Sequence, residues 1–325
     1  MRRAQGFSLV ELLVAMSLGV FLSGVAVFSY LSAKQGFIRD QQVARLQENG
    51  TLALRLLSRE LAMAGFRAGA LSAGPLTPPI AADNCAGVGW ALDWSEPLLF
   101  HNNFAATADG AEQALDVSAC IDARDVVPES DLVAFRRSAA EPSAAAGRTA
   151  PSLTPSRSMT WFLRVEDSRA LEWLSLRPAA LAAFAASNRR SSFWEAVSRI
   201  YFVRPYARDI RDGVPSLCIK TLAGTQVSTR CPVEGVEQMQ LEFGVDSDGD
   251  GQVNRYVDVP PVGEGPAIIA ARVHLLLRTV DPVPVVARTT RFQLADATAE
   301  LVDTRYVRRV FSATVPLRNL PDVRG

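Results

Sequence analysis

A chain of 325 residues has room for one large domain or two modest ones, so a sizeable core is within reach. Its 34 basic residues balance 34 acidic ones, which excludes the surplus of positive charge typical of nucleic-acid and polybasic membrane binders. Only Lys34 and Lys220 are lysines, and the arginine-rich remainder reads as codon bias rather than as an arginine-based mechanism.

Residues 1–6 are short, polar and positively charged, and from Phe7 to Leu31 the chain is apolar apart from Ser, Gly and one acid, Glu11. A helix of that length crosses a bilayer, and Arg2 and Arg3 hold its start in the cytoplasm. A secretory signal fits poorly, because Ser29-Tyr30-Leu31-Ser32-Ala33 makes a mediocre cleavage site. The informative end is the other one. A Gly precedes an aromatic residue where the apolar run begins, and a carboxylate follows five residues into it. A carboxylate there is costly, so it calls for a cationic partner.

Gly6-Phe7-Ser8-Leu9-Val10-Glu11-Leu12-Leu13-Val14-Ala15-Met16 resembles the class III signal of type IV pilins and pseudopilins. The resemblance implies that a prepilin peptidase cuts after Gly6 and N-methylates Phe7. It also implies that Glu11 pairs with the terminal ammonium of a neighbouring subunit, a buried pair suited to fixing register.

Helical periodicity continues beyond the membrane. Val43, Leu46, Gly50, Ala53, Leu57, Leu61 and Ala64 form one apolar stripe, and no proline interrupts residues 7–64 before Gly65. A helix of that span runs about 87 Å, with its first half in the membrane and its second half expected against the chain's own sheet.

After Gly65 the pattern turns to strands and Gly/Pro turns. The spacing predicts strands over Gln238–Asp246, Ala267–Thr279 and Val307–Asn319, with weaker signals at Leu98–Asn103, Asp131–Arg137, Thr160–Val165 and Ser198–Arg204. In the first, Met239, Leu241, Phe243 and Val245 point one way and Gln238, Gln240, Glu242 and Gly244 the other. Ala179–Ala186 reads as a short helix, and residues 139–158 as a surface loop. The expected architecture is α+β and pilin-like: a leader over 1–6, a long helix over 7–64 packed on an antiparallel β-sheet head, and a periplasmic head over 65–325 with large loops.

Four cysteines lie in two local groups, Cys85 with Cys120 and Cys218 with Cys231, without a C-x-x-C or a histidine cluster. Placed outside the cytoplasm, they suit disulfides, and pairing by proximity is the simplest of three connectivities. Asp246-x-Asp248-x-Asp250-Gly251 matches the start of a calcium loop, with Gln252 offering a carbonyl and Asn254 a side chain. The twelfth position is Val257 rather than Glu, so affinity would be modest, and the competing reading is an acidic turn without metal. Any calcium would order the loop rather than catalyse.

Nothing points to an enzyme. His101 and His274 are the only histidines, and no nucleophile elbow, zinc-protease, P-loop or dinucleotide motif occurs. The five tryptophans are scattered as core residues would be, and Arg189-Arg190 and Arg308-Arg309 read as solvated charge.

Three further segments resemble one branch, the PilW-type minor pilins: Arg59-Glu60-Leu61-Ala62-Met63-Ala64-Gly65-Phe66, the run Phe243–Gly251, and Arg309-Val310-Phe311-Ser312-Ala313-Thr314-Val315-Pro316-Leu317-Arg318-Asn319. Residues 67–235 match no pattern of that branch. The resemblance implies a low-copy subunit that primes pilus assembly beside other minor pilins and the major pilin. It further implies passage from the inner membrane to the pilus tip, display of a PilY-type adhesin, and no nucleic-acid partner. A J-type pseudopilin of type II secretion and a DNA-uptake pilin are the alternatives.

Overall fold

The computed structural model describes residues 8–70, 72–73, 89–92, 97–104, 121–145, 148–149, 159–223, 226–259, 267–283, 289–301 and 305–320. Gly6, Phe7, Cys85 and Cys120 lie outside them.

Helix α1 spans Leu9–Met63, within the expected bounds. Its start is set by Ser8, whose hydroxyl accepts from the Glu11 amide while the Glu11 carboxylate accepts from the Ser8 amide. This reciprocal pair satisfies two donors that a helix terminus otherwise leaves open. Its end is set by Gly65, at φ +79, whose amide donates to the Arg136 carbonyl at 3.1 Å.

The strands follow in chain order: β1 (Ser72–Ala73), β2 (Leu98–Phe104), β3 (Ser130–Ser138), β4 (Ala144–Ala145), β5 (Arg148–Thr149), β6 (Thr160–Glu166), β7 (Arg169–Leu176), β8 (Ser192–Arg204), β9 (Ser216–Ala223) and β10 (Gln226–Glu234). These ten form one sheet whose main path is β1-β7-β6-β8-β3-β2, with β9 joining β8 to β10. A short helix α2 (Pro178–Ser187) crosses between β7 and β8 and buries Leu181 and Ala185. A second sheet has the order β12-β11-β13-β16, from β11 (Val236–Asp246), β12 (Arg255–Val257), β13 (Ala267–Arg278) and β16 (Arg308–Pro316). The hairpin of β14 (Thr290–Leu294) and β15 (Ala297–Leu301) pairs with neither ladder, and Asp296 in its turn accepts from the side-chain amides of Asn102 and Asn103 at 3.0 and 2.8 Å.

One core joins the helix to both sheets. Leu46, Ala53, Leu57, Leu61 and Ala64 meet Val133, Phe135, Tyr201, Val203, Leu217 and Ile219 of the large sheet, and Met239, Leu241, Phe243, Val273, Leu275 and Val315 of the small one. The expected stripe is therefore the buried face, with Val43 at its half-exposed upper end. The three strong strand signals and the four weaker ones all correspond to strands, although Ser198–Arg204 is only the second half of β8.

Three expectations change. Gln240 is fully buried although it alternates with the core residues, because Glu129 and Asn103 at the start of β3 and the end of β2 cover that face of β11. Arg308 is not solvated: its guanidinium grips Glu237 at 2.7 and 2.9 Å and is nearly buried. Within the expected loop over 139–158, Ala144 lies in a small core with Phe162, Leu181 and Phe193, because β4 pairs with the start of β8.

Candidate functional site

The first half of α1 is bare. From Leu9 to Leu31 its large apolar side chains are mostly half-exposed or more, and an 18-residue window has mean hydropathy 2.2 with none of it buried. It is the one helix among the described residues long and apolar enough to cross a membrane. Such a surface is stable only in lipid or against other apolar helices. Glu11, one turn inside this surface, turns its carboxylate back to the helix start at 2.9 Å from the Ser8 amide.

The second half is locked to the head at three levels. At Gln42, the side-chain amide donates to Asp281 at 2.9 Å, and Arg45 and Asn49 reach the carboxylate and carbonyl of Glu234 at 2.7 and 2.9 Å. Midway, the ring of Phe311 on β16 lies over Gly50. At the end, Asn319 donates its side-chain amide to the Ala62 carbonyl at 2.9 Å, and its own carbonyl occupies the space where a Cβ on Gly65 would go. The helix-end segment 59–66 and the closing segment 309–319 thus form one junction.

Within that junction Glu60 is buried beside two arginines from the large sheet. Arg137 of β3 binds it through two nitrogens at 2.8 and 3.1 Å, and Arg199 of β8 binds the same carboxylate. Burial alone would raise the Glu60 carboxyl, but the bonds and charges of Arg137 and Arg199 outweigh it and hold it below the usual range. The signal was legible: an acid stands on the apolar stripe between Leu57 and Leu61.

The acidic turn joins β11 to β12. Carboxylate oxygens of Asp246, Asp248 and Asp250 lie within 4.8 Å of one another. Asp246, itself buried, accepts from the amides of Gly249 and Gly251 at 2.5 and 3.0 Å, and Asp250 accepts from the Gln252 amide at 2.8 Å. Asn254 turns its carbonyl oxygen to the Ser247 amide at 2.6 Å and its nitrogen to Asp248 at 3.2 Å. Val257, at the twelfth position, is paired with Phe243 in the sheet, and burial together with the charges of Asp296 and Glu242 raises the Asp258 carboxyl. Three carboxylates suit a hard cation, but the set falls short of the six to eight oxygens calcium takes.

A second buried acid escaped the sequence reading. Asp131, wholly buried at the start of β3, accepts from the amides of Asn103 and Leu241 at 2.9 and 2.6 Å, and so stitches the large sheet to the open edge of β11. Burial, with the charges of Asp296 and Asp258 added, pushes its carboxyl up to about 8 against the pull of those two amides. Cys218 and Cys231 form a disulfide between β9 and β10, at the point where their pairing register shifts.

Compared with known families, residues 1–27 match the prokaryotic N-terminal methylation motif. Residues 200–319 match the type IV pilus-assembly protein W. That second match starts in β8, which corrects the expectation that residues up to 235 lack any likeness to this branch, and it includes the small sheet, the acidic turn and the segment that closes on α1. No curated protein and no solved structure matches the chain.

Proposed function

We propose, from the premise that a chain carrying both a methylation-type N-terminus and an assembly protein W segment is a PilW-type pilin, that this one is a low-copy minor pilin priming a type IV pilus. The observation that carries the reading is the continuity of the two matched parts. The helix that begins in the methylation motif packs its far half against the small sheet of the matched head as well as against the large one, so a single helix joins a bare apolar stem to a folded head.

In this reading prepilin peptidase cuts after Gly6 and methylates Phe7, and the apolar stem holds the subunit in the inner membrane until assembly. Glu11 then leaves its cap on Ser8 to pair with the terminal ammonium of a neighbour, which sets the axial step. The head, large for a subunit that must repeat closely, suits the tip, beside other minor pilins and beneath a PilY-type adhesin. The turn at Asp246, Asp248 and Asp250, with Gln252 and Asn254, takes calcium weakly and serves order rather than chemistry. Cys85 and Cys120 form a second disulfide.

The test is the amount of major pilin sheared from cells lacking the chain, against wild type and a complemented strain. Near-total loss restored by complementation supports the priming role. Unchanged surface pilin removes it and moves the reading to a J-type secretion pseudopilin.

A further inference from the structure

The β14–β15 hairpin is closed on itself before it meets the rest of the head. Its pairing runs from Thr290 against Leu301 to Leu294 against Ala297, and Gln293 donates to the Ala295 carbonyl at 2.8 Å. A two-stranded hairpin is at best marginally stable alone, so this one depends on what it docks against. Leu294 is fully buried, and Asp296 in the turn accepts from the side-chain amides of Asn102 and Asn103 at the end of β2.

The second attachment brings three carboxylates into one neighbourhood. Asn103 donates its side-chain amide to Asp296 at 2.8 Å and its backbone amide to Asp131 at 2.9 Å, so one residue grips both acids. Asp258 follows the last residue of β12. The charges of Asp296 and Asp258 both bear on Asp131, and those of Asp296 and Glu242 bear on Asp258. The cations beside them, Arg272 and His274 of β13, pair with Glu242 at 3.3 and 2.9 Å. Asp131 and Asp296 are bound instead by amides, which carry no net charge. Of the other titratable groups nearby, His101 lays its ring against Phe104, and Glu129 offers only its backbone carbonyl, to Gln238 and Gln240.

Burial and the two neighbouring charges keep the proton on Asp131 up to about 8. Linkage between the acids is reciprocal. Docked Asp296 makes Asp131 harder to ionise, so an ionised Asp131 makes Asp296, and the hairpin that carries it, easier to undock. Below that pH the Asp131 carboxyl is neutral and the turn docks unopposed. Above it a negative charge faces Asp296 across Asn103, and undocking moves Asp296 into water, where the repulsion is screened. Asp131 stands in β3 and Asp258 next to β12, both held by sheet pairing, so the hairpin is the part left to move.

We infer that the β14–β15 hairpin is a strap controlled by the proton on Asp131: docked on the head while that carboxyl is neutral, and released as a unit when alkaline pH ionises it. Release uncovers Leu294 and frees the side-chain amides of Asn102 and Asn103. The inference does not depend on the pilin reading.

The test places spin-label amino acids at the exposed positions Thr298 and Ser312 of the detergent-solubilised full chain, and at Thr229 and Ser312 as a control within the head. Distance distributions are measured by double electron–electron resonance. One narrow hairpin distance is expected at about pH 6, and a released, broader population about tenfold larger at about pH 9, with the control pair unchanged. Asp131→Asn is expected to abolish the released population. Asp296→Asn, at an exposed position, is expected to abolish it as well and serves if the buried variant fails to fold. One hairpin distance at both pH values, broadening shared by the control pair, or a released population that persists in either folded variant overturns the strap.

Discussion

Phe311 lies against the bare backbone of Gly50: a Cβ at that position would sit 2.5 Å from two of its ring carbons. Gly is a poor helix residue, so replacing it by Ala in an exposed helix gains about 1 kcal/mol. Overpacking a filled core costs about 1–3 kcal/mol, and here the obstacle is a ring wedged between helix and sheet. The second effect wins. Gly50→Ala is expected to destabilise the detergent-solubilised chain by about 1 kcal/mol or more, and Phe311→Leu in the same chain to recover part of the loss. A stabilised Gly50→Ala would sink this account of the junction.

Glu60 makes a different kind of contact, since Arg137 is withdrawn from water with it and Arg199 is only partly exposed. Removing one member of a buried ion cluster leaves the others uncompensated, so Glu60→Ala is expected to cost about 3–5 kcal/mol in denaturant unfolding. Replacing Glu60, Arg137 and Arg199 together by Leu, Met and Leu should come close to neutral. Because the Glu60 carboxyl is held below its ordinary value, its contribution is present at neutral pH and is lost as pH falls through the depressed native value.

Asp131 has the opposite sign. Its carboxyl is pushed up to about 8 in the folded chain, so the native state holds more proton than the unfolded chain at intermediate pH. Its contribution to stability therefore falls as pH rises from the ordinary carboxylate range toward that value. A decline of about 3–4 kcal/mol between pH 5 and 8 is expected, and Asp131→Asn should flatten it. An unchanged slope in that variant would assign the effect to other groups.

The acidic turn is closed by its own amides, with Asp246 bound to Gly249 and Gly251, so it should persist in chelator. A site lacking the bidentate twelfth ligand belongs at the weak end of the calcium range, about 10⁻⁴–10⁻³ M. By mass action, 10 mM calcium would then stabilise the chain by about 1–3 kcal/mol relative to chelator. Thermal midpoints with and without calcium measure this, and Asp248→Asn with Asp250→Asn should remove the gain. A midpoint indifferent to calcium in the unmodified chain would leave a metal-free turn.

Whatever depends on neighbours along the chain could be read from the residues alone. The stem, the methylation-type start, the apolar stripe and the alternating strands at 238–246, 267–279 and 307–319 follow from periods of 3.6 and 2 and from one misplaced acid, Glu11. A period reports which side of an element is apolar, so Leu57 and Met239 were legible as core. Their meeting in the same core was not. Long-range packing is what buries Gln240, pairs Arg308 with Glu237, and lets Asp131 stitch one sheet to the other. Each depends on a residue far away in sequence coming within hydrogen-bond distance, and composition carries no record of that distance.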